Sequence, residues 1–358
     1  MSAHEILIAV MAVFAVLGAL DRIFGNRFGI GQEFEKGILA MGSLAIAMIG
    51  IITLAPVLAN LLEPLIVPVY RFLGADPAMF AGTILACDMG GGALAKEMSA
   101  DPQAALLGGV LTGSMLGATI VFTIPIAMGI LSEEDRPAMA KGILCGIVTI
   151  PLGVLVGGIV AGFPLSMLLW NLVPIVLFAA LIALGLWRIE KSMIRGFSVF
   201  GKAVIALITV GLAAAIVQAL TGFAIIPGMA PIEEGFMTVG SIAIVLAGAF
   251  PLVYVLTKLL KKPLMKLGSL LGINDTAAAG LIATLANSIA TFGMVKEMDN
   301  RGKVINIAFA VSAAFVFGDH LGFTAGFAPE MLLPVIVGKL VGGISAVGVA
   351  MLLTKKEK

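Results

Sequence analysis

Three short stretches set polar side chains inside strongly apolar sequence. "FAGTILACDMGGG" (80–92) carries Asp88 beside Cys87, "TLANSIATFG" (284–293) carries Asn287, Ser288 and Thr291, and "GDHLGF" (318–323) carries Asp319 and His320. A carboxylate held at membrane depth is expensive and usually faces a cavity or a partner. Asp88 would supply charge or hydrogen bonding where a small polar solute stops, and the Asp319-His320 pair would suit a proton relay. The glycine triplet after Asp88 allows close backbone approach to a solute.

Each group also has a plainer role. Asp88 would serve as the acceptor of a glycine turn, and Asn287 as the cap of a half-helix. Asp319 and His320 stand about 100° apart on a helix, so one is expected to serve a solute while the other packs elsewhere. Serine and threonine in membrane helices mostly bond back to their own backbone. Cys87 fits a small packing residue better than a reactive thiol, and is carried with the site because it adjoins Asp88.

The elements that must hold these residues are membrane helices. The chain of 358 residues is 60% hydrophobic and 12% charged, half the charged share of an ordinary soluble domain, which is roughly a quarter. Apolar runs long enough to cross a bilayer, about 20 residues, recur from end to end. Net charge is +1, which offers nothing to nucleic acid, and two cysteines make no disulfide framework. The N-terminal run has no Lys or Arg before it, so it is expected to be a retained span, not a leader. No His-Glu-x-x-His, Gly-x-Ser-x-Gly or Walker sequence occurs, and two scattered histidines make a poor metal set. The expectation is a transport protein, not an enzyme, with no metal and no cofactor.

The fold expected is an all-α polytopic membrane protein. Nine spans are predicted at 5–22, 37–60, 103–130, 138–162, 165–187, 199–220, 236–258, 303–328 and 331–353. Two further stretches, 77–96 and 275–296, read as re-entrant hairpins with tips at Cys87-Asp88-Met89-Gly90 and Ala286-Asn287-Ser288. The segments before them, "LLEPLIVPVYRFLG" and "KLLKKPLMKLGSLLG", read as interfacial pieces.

The chain also repeats. Glu35–Ile84 lies over Glu233–Ile282 at a constant offset of 198, with about 17 of 50 positions identical, and "AKEM" at 95–98 matches "VKEM" at 295–298. Short cytoplasmic loops are rich in Lys and Arg. With re-entrant hairpins and the C-terminus inside, 19 of the 22 basic residues fall on one side, Arg71 and Lys96 fall outside, and Lys339 lies in the last span. Full spanning of 77–96 and 275–296 would instead put the basic loops 188–202 and 258–266 outside. The expected organisation is therefore an inverted repeat, 1–162 and 199–358, joined by a helix and loop at 163–198, with the N-terminus outside and the C-terminus cytoplasmic. Inverted repeats bring such tips together near the midplane, where transporters commonly hold substrate.

At "FAGTILACDMGG", "IVTIP", "TLANSI", "RGKVINIAFAVSAAF" and "GDHLGF" the chain resembles the ethanolamine permeases of bacterial ethanolamine-utilisation systems, over roughly residues 5 to 353. The chain is shorter than some relatives, chiefly near 161–166, near 222–234 and at the tail. The resemblance implies an inner-membrane facilitator for ethanolamine. It feeds a pathway whose lyase uses a cobalamin cofactor, which belongs to the lyase and not to this chain. It supplies no site residues, so the picks remain Asp88, Asn287, Asp319, His320, Cys87, Ser288 and Thr291. Phe292, Phe315 and Phe317 are candidates for cation–π contact with an ammonium. Ion-coupled transport of another small amine or alcohol, and a membrane sensor that binds ethanolamine without moving it, are the alternatives. The partners expected are ethanolamine and the lipid bilayer. A homodimer is carried as an expectation, because many membrane carriers with such hairpins form oligomers.

Overall fold

A computed structural model describes residues 3–354, with backbone alone at 3, 260–262, 264–267 and 269. The lysines Lys355, Lys356 and Lys358, which the orientation argument uses, lie outside the described residues, as do the side chains of Lys261, Lys262 and Lys266. Among the described residues the chain is helical and holds no strand. Seven helices among the described residues are long and apolar enough to cross a membrane.

The first is α1 (Ala3–Ile23), followed by α2 (Ile30–Phe72). A helix–break–helix comes next: α3 (Ala78–Ile84), an irregular turn at Cys87–Gly91, and α4 (Gly92–Met98). Then come α5 (Pro102–Ile130), α6 (Glu133–Val160) and α7 (Leu165–Thr221). At about 1.5 Å per residue, the 57 residues of α7 exceed a bilayer's thickness more than twofold. The non-helical backbone of Ile189 breaks it near its middle. After α8 (Ile232–Leu271) a second helix–break–helix follows, α9 (Asp275–Ala286) and α10 (Ser288–Met294). The chain ends with α11 (Asn300–Ala313), α12 (Asp319–Phe327) and α13 (Leu332–Leu353).

Both broken elements return to where they start. Ser99 Oγ donates to Asp76 Oδ2 at 2.9 Å across the first. Asn274 N donates to Asp299 Oδ1 at 2.8 Å, and Asn274 Nδ2 to the Glu297 carbonyl at 2.9 Å, across the second. Asp76 and Asn274 are repeat equivalents at the offset of 198, and both cap the helix that follows: Asp76 accepts from Ala78 N, and Asn274 from Ala277 N. The expected interfacial segments are not separate pieces. Each continues the preceding helix, α2 or α8, because Pro56, Pro64 and Pro68 in α2, and Pro251 and Pro263 in α8, are absorbed without a break.

The longest packed interface joins α2 to α8. Gly37 of α2 lies against Leu246 and Ala247 of α8, and Gly235 of α8 lies against Ile49 of α2. These contacts are reciprocal under the offset, and they pair the start of each helix with the middle of the other, so the helices run antiparallel. Gly50 against Ile208 of α7 and Gly248 against Met11 of α1 are corresponding contacts to within one residue of that offset. A Cβ at Gly37 would stand 2.5 Å from Ala247 N. Gly37→Val is therefore expected to destabilise the protein by about 1–3 kcal/mol through overpacking. A lowered melting temperature in detergent checks it, and an unchanged one would remove the close crossing.

Candidate functional site

The turn that carries Asp88 is held by its own glycines and by α5. Gly90 has φ +100°, a conformation that disfavours any side chain, and it faces the side chain of Ile51. The Leu85 carbonyl comes so close to Gly117 of α5 that a Cβ there would collide with it. Much of α5 is wound in wide π-type turns, which recur at functional sites. Together they project the Asp88 carboxylate inward, with 16% of the side chain exposed.

Asp319 and His320 arrive from the other half. Between α11 and α12 the helix opens at Ala314–Gly318, where Phe315 takes φ +62°. The freed backbone is not left bare: Phe315 N donates to the Thr284 carbonyl and Phe317 N to the Leu285 carbonyl, at 3.2 and 2.8 Å. The break is thus stapled to the tip of the second helix–break–helix, and α12 restarts at Asp319. Asp319 and His320 consequently border the same cavity. The two stand side by side at the start of α12: His320 packs against Lys339 and Phe315, while Asp319 also borders a second cavity.

That cavity, about 180 Å³, is lined by Asp88, Asp319, His320, Phe122 and Phe315, with Ser43, Leu44 and Ala47 from α2 completing one wall. It is small against pockets for drug-sized molecules, roughly 300–1,000 Å³. Phe122 and Phe315 meet edge to face at 5.3 Å, and the Phe315 ring lies 5.3 Å from the His320 ring. The Nε2 of His320 stands 3.8 Å from Asp88 Oδ1. On the far side of the ring, Lys339 Nζ lies 3.1 Å from His320 Nδ1 and also donates to the Ser114 carbonyl. Lys339 is fully buried.

Asp319 also borders a second cavity, about 390 Å³, with Asn287, Phe317 and Tyr254, and with Glu33 and Lys36 at its rim. A wider cleft, about 1170 Å³, lies at the mouth of the first helix–break–helix among Glu63, Arg71, Asp76 and Glu97. It contains none of the candidate residues, and its carboxylates belong to surface and capping positions, so the chemistry points to the smaller cavities.

The structure thus gathers Asp88, Asp319 and His320 around one cavity and leaves Asn287 in the next, where its Oδ1 also caps Ile289 N. Cys87 is buried behind Asp88, and its sulfur lies within 4.8 Å of the Asp88 and His320 ligand atoms. Such a trio has metal-binding residue types, and Lys339 occupies the Nδ1 side of the same imidazole. Ser288 and Thr291 line neither cavity. Both are fully buried, and Thr291 ties α10 to α9 through Thr284 Oγ1 at 2.8 Å and the Gly280 carbonyl at 2.9 Å. Of the aromatic candidates, Phe315 faces the first cavity, Phe317 the second, and Phe292 is core. Sequence reasoning placed Lys339 in a span without giving it a role. A lone lysine in "LLPVIVGKLVGG" was the available signal, since an intramembrane ionisable group is a site candidate by default.

The chain matches the family model described as "Ethanolamine utilisation protein, EutH" over residues 3–353. It is 61% identical over 356 residues to a protein of Listeria monocytogenes named probable ethanolamine permease EutH, covering 99% of this chain and 95% of that one. Proteins of the same name from Salmonella typhimurium and Escherichia coli are 49% and 50% identical over 395 aligned positions, covering 100% of this chain and 97% of each relative. No solved structure matches. With its long apolar helices, this multi-pass membrane protein belongs to the EutH family of ethanolamine utilisation proteins.

Proposed function

We propose that this protein is a permease that carries ethanolamine, as its monovalent ammonium, across the bacterial inner membrane. The observation that carries the reading is the pairing of Asp88 and Asp319 in one small cavity walled by Phe122 and Phe315. Carboxylates balance the ammonium, and ring faces add cation–π attraction. The printed name of the relatives supports ethanolamine as the solute. Asn287, in the adjoining cavity, supplies hydrogen bonding on the way out.

The reading includes nine crossings, with the two helix–break–helix elements as re-entrant hairpins and the two halves as inverted repeats. The closed mouths at Asp76–Ser99 and Asn274–Asp299 support re-entrance. The antiparallel, reciprocal crossing of α2 and α8 supports inversion, because a two-fold axis across antiparallel helices lies in the membrane plane. Lys303 pairs with Asp135 at 2.6 Å, and Arg301 donates to the Thr354 carbonyl, so these basic segments share one end, taken as cytoplasmic. Cysteines placed at Lys96 and Lys296 should label from opposite sides of the membrane; labelling from one side would sink this topology.

The functional test is uptake of labelled ethanolamine into proteoliposomes of the purified protein at mildly acidic pH, where little uncharged amine crosses lipid unaided. Saturable uptake above empty vesicles, with counterflow, is the expected result. Folded protein that binds ethanolamine without excess uptake would favour the sensor reading and overturn the permease.

A further inference from the structure

Among the described residues, Lys339 brings a basic side chain to a cavity edge that otherwise presents carboxylates. It comes from α13, its Nζ reaches the Ser114 carbonyl of α5, and it lies 3.1 Å from His320 Nδ1. An ammonium has donors and no acceptor, so it requires the lone pair of Nδ1. That assigns the hydrogen of His320 to Nε2, which faces Asp88 at 3.8 Å, and makes the imidazole neutral. The remaining groups can then be counted. In their ionised forms Asp88 and Asp319, which line the cavity, count one negative charge each and Lys339, behind His320, one positive, while Cys87 is a buried thiol. At the rim of the next cavity Glu33 and Lys36 cancel in an ion pair of 2.6 Å.

We propose that Lys339 is a specificity-determining residue that sets the empty cavity at one net negative charge, so that it takes a single monovalent cation and rejects dications. Burying unbalanced charge at membrane depth is costly, so the occupant whose charge completes the balance is favoured. The three charges come from three separate elements, the first turn, α12 and α13, which makes the balance a property of the assembled site. The inference rests on the permease reading above. It is read from relative affinities, whereas that reading stands or falls on uptake by the wild-type protein.

The test uses calorimetric titration of the purified full-length protein with three solutes of similar size at mildly acidic pH. Ethanolamine carries one positive charge, ethylenediamine two, and ethylene glycol none. Lys339→Met keeps the length of the side chain and removes its charge. It is expected to raise the affinity for ethylenediamine relative to ethanolamine by about tenfold or more. Adding Asp319→Asn to Lys339→Met should return that ratio towards the wild-type value. A purely structural lysine would lower affinity for all three solutes together and leave the ratio unchanged, which would overturn the proposal. Should Lys339→Met fail to fold, Asp319→Asn alone reads the opposite change. Its cavity is neutral, so ethylene glycol should gain about tenfold relative to ethanolamine. An unchanged ratio there would overturn the proposal equally.

Discussion

Asp88→Asn is expected to raise the ethanolamine concentration for half-maximal uptake by roughly ten- to a hundredfold. The substitution is nearly isosteric, so it removes charge while leaving the turn at Cys87–Gly91 its side-chain oxygen. A hydrogen bond to a charged group contributes about 1.5–3 kcal/mol, and each 1.4 kcal/mol is about a factor of ten in affinity. Asp88 is mostly enclosed, and its cavity is shared with aromatic rings, so little solvent screening offsets the loss. Concentration dependence of uptake in proteoliposomes makes the measurement. If Asp88 merely caps the glycine turn, the variant will melt earlier while its half-saturation stays put, and the residue leaves the site.

Gly90→Ala should reduce ethanolamine uptake about tenfold or more without touching any charge, because two separate penalties meet at this one atom. At φ +100° an L-residue is strained, by roughly 1–2 kcal/mol for left-handed backbone. The new Cβ would also collide with Cγ1 and Cγ2 of Ile51 on α2. The turn must shift to relieve both, and Asp88 moves with it. Removing the second penalty with Ile51→Ala in the same chain is expected to restore part of the uptake and leave the backbone part unrepaired. Normal uptake by Gly90→Ala alone would show that the turn tolerates movement and does not position Asp88. No rescue by Ile51→Ala would assign the whole effect to the backbone.

Local features of the chain were legible because lipid imposes local rules. A backbone in hydrocarbon must satisfy its own hydrogen bonds, so long apolar runs had to be helices. The same rule made the glycine triplet after Asp88 and the polar "ANS" at 286–288 conspicuous, and the helices do break at both places. "LLEPLIVPVYRFLG" was expected as a piece of its own and instead continues α2, for a related reason. Proline in a membrane helix is tolerated when neighbours re-satisfy the freed backbone, and composition alone does not reveal neighbours.

The site was only half legible. Asp88, Asp319 and His320 stood out because charge in apolar sequence is rare. Ser288 and Thr291 looked equally suited, yet they turn inward, since Thr284 and the Gly280 carbonyl claim Thr291. Nothing in "GDHLGF" tells that Asp319 and His320 share a cavity; the break that allows it is held by backbone bonds to Thr284 and Leu285.

The sequence by itself determined the membrane class, the helical content, the positions of both irregular turns and the likeness of the two halves, because burial of apolar side chains and pairing of backbone groups act over a few turns of chain. Only the tertiary structure decided which polar groups meet. Lys339 finds Ser114 across 225 positions and His320 across 19. Those contacts depend on how α5, α12 and α13 pack, and side chains buried far from water must be satisfied by whichever partner the packing brings within reach.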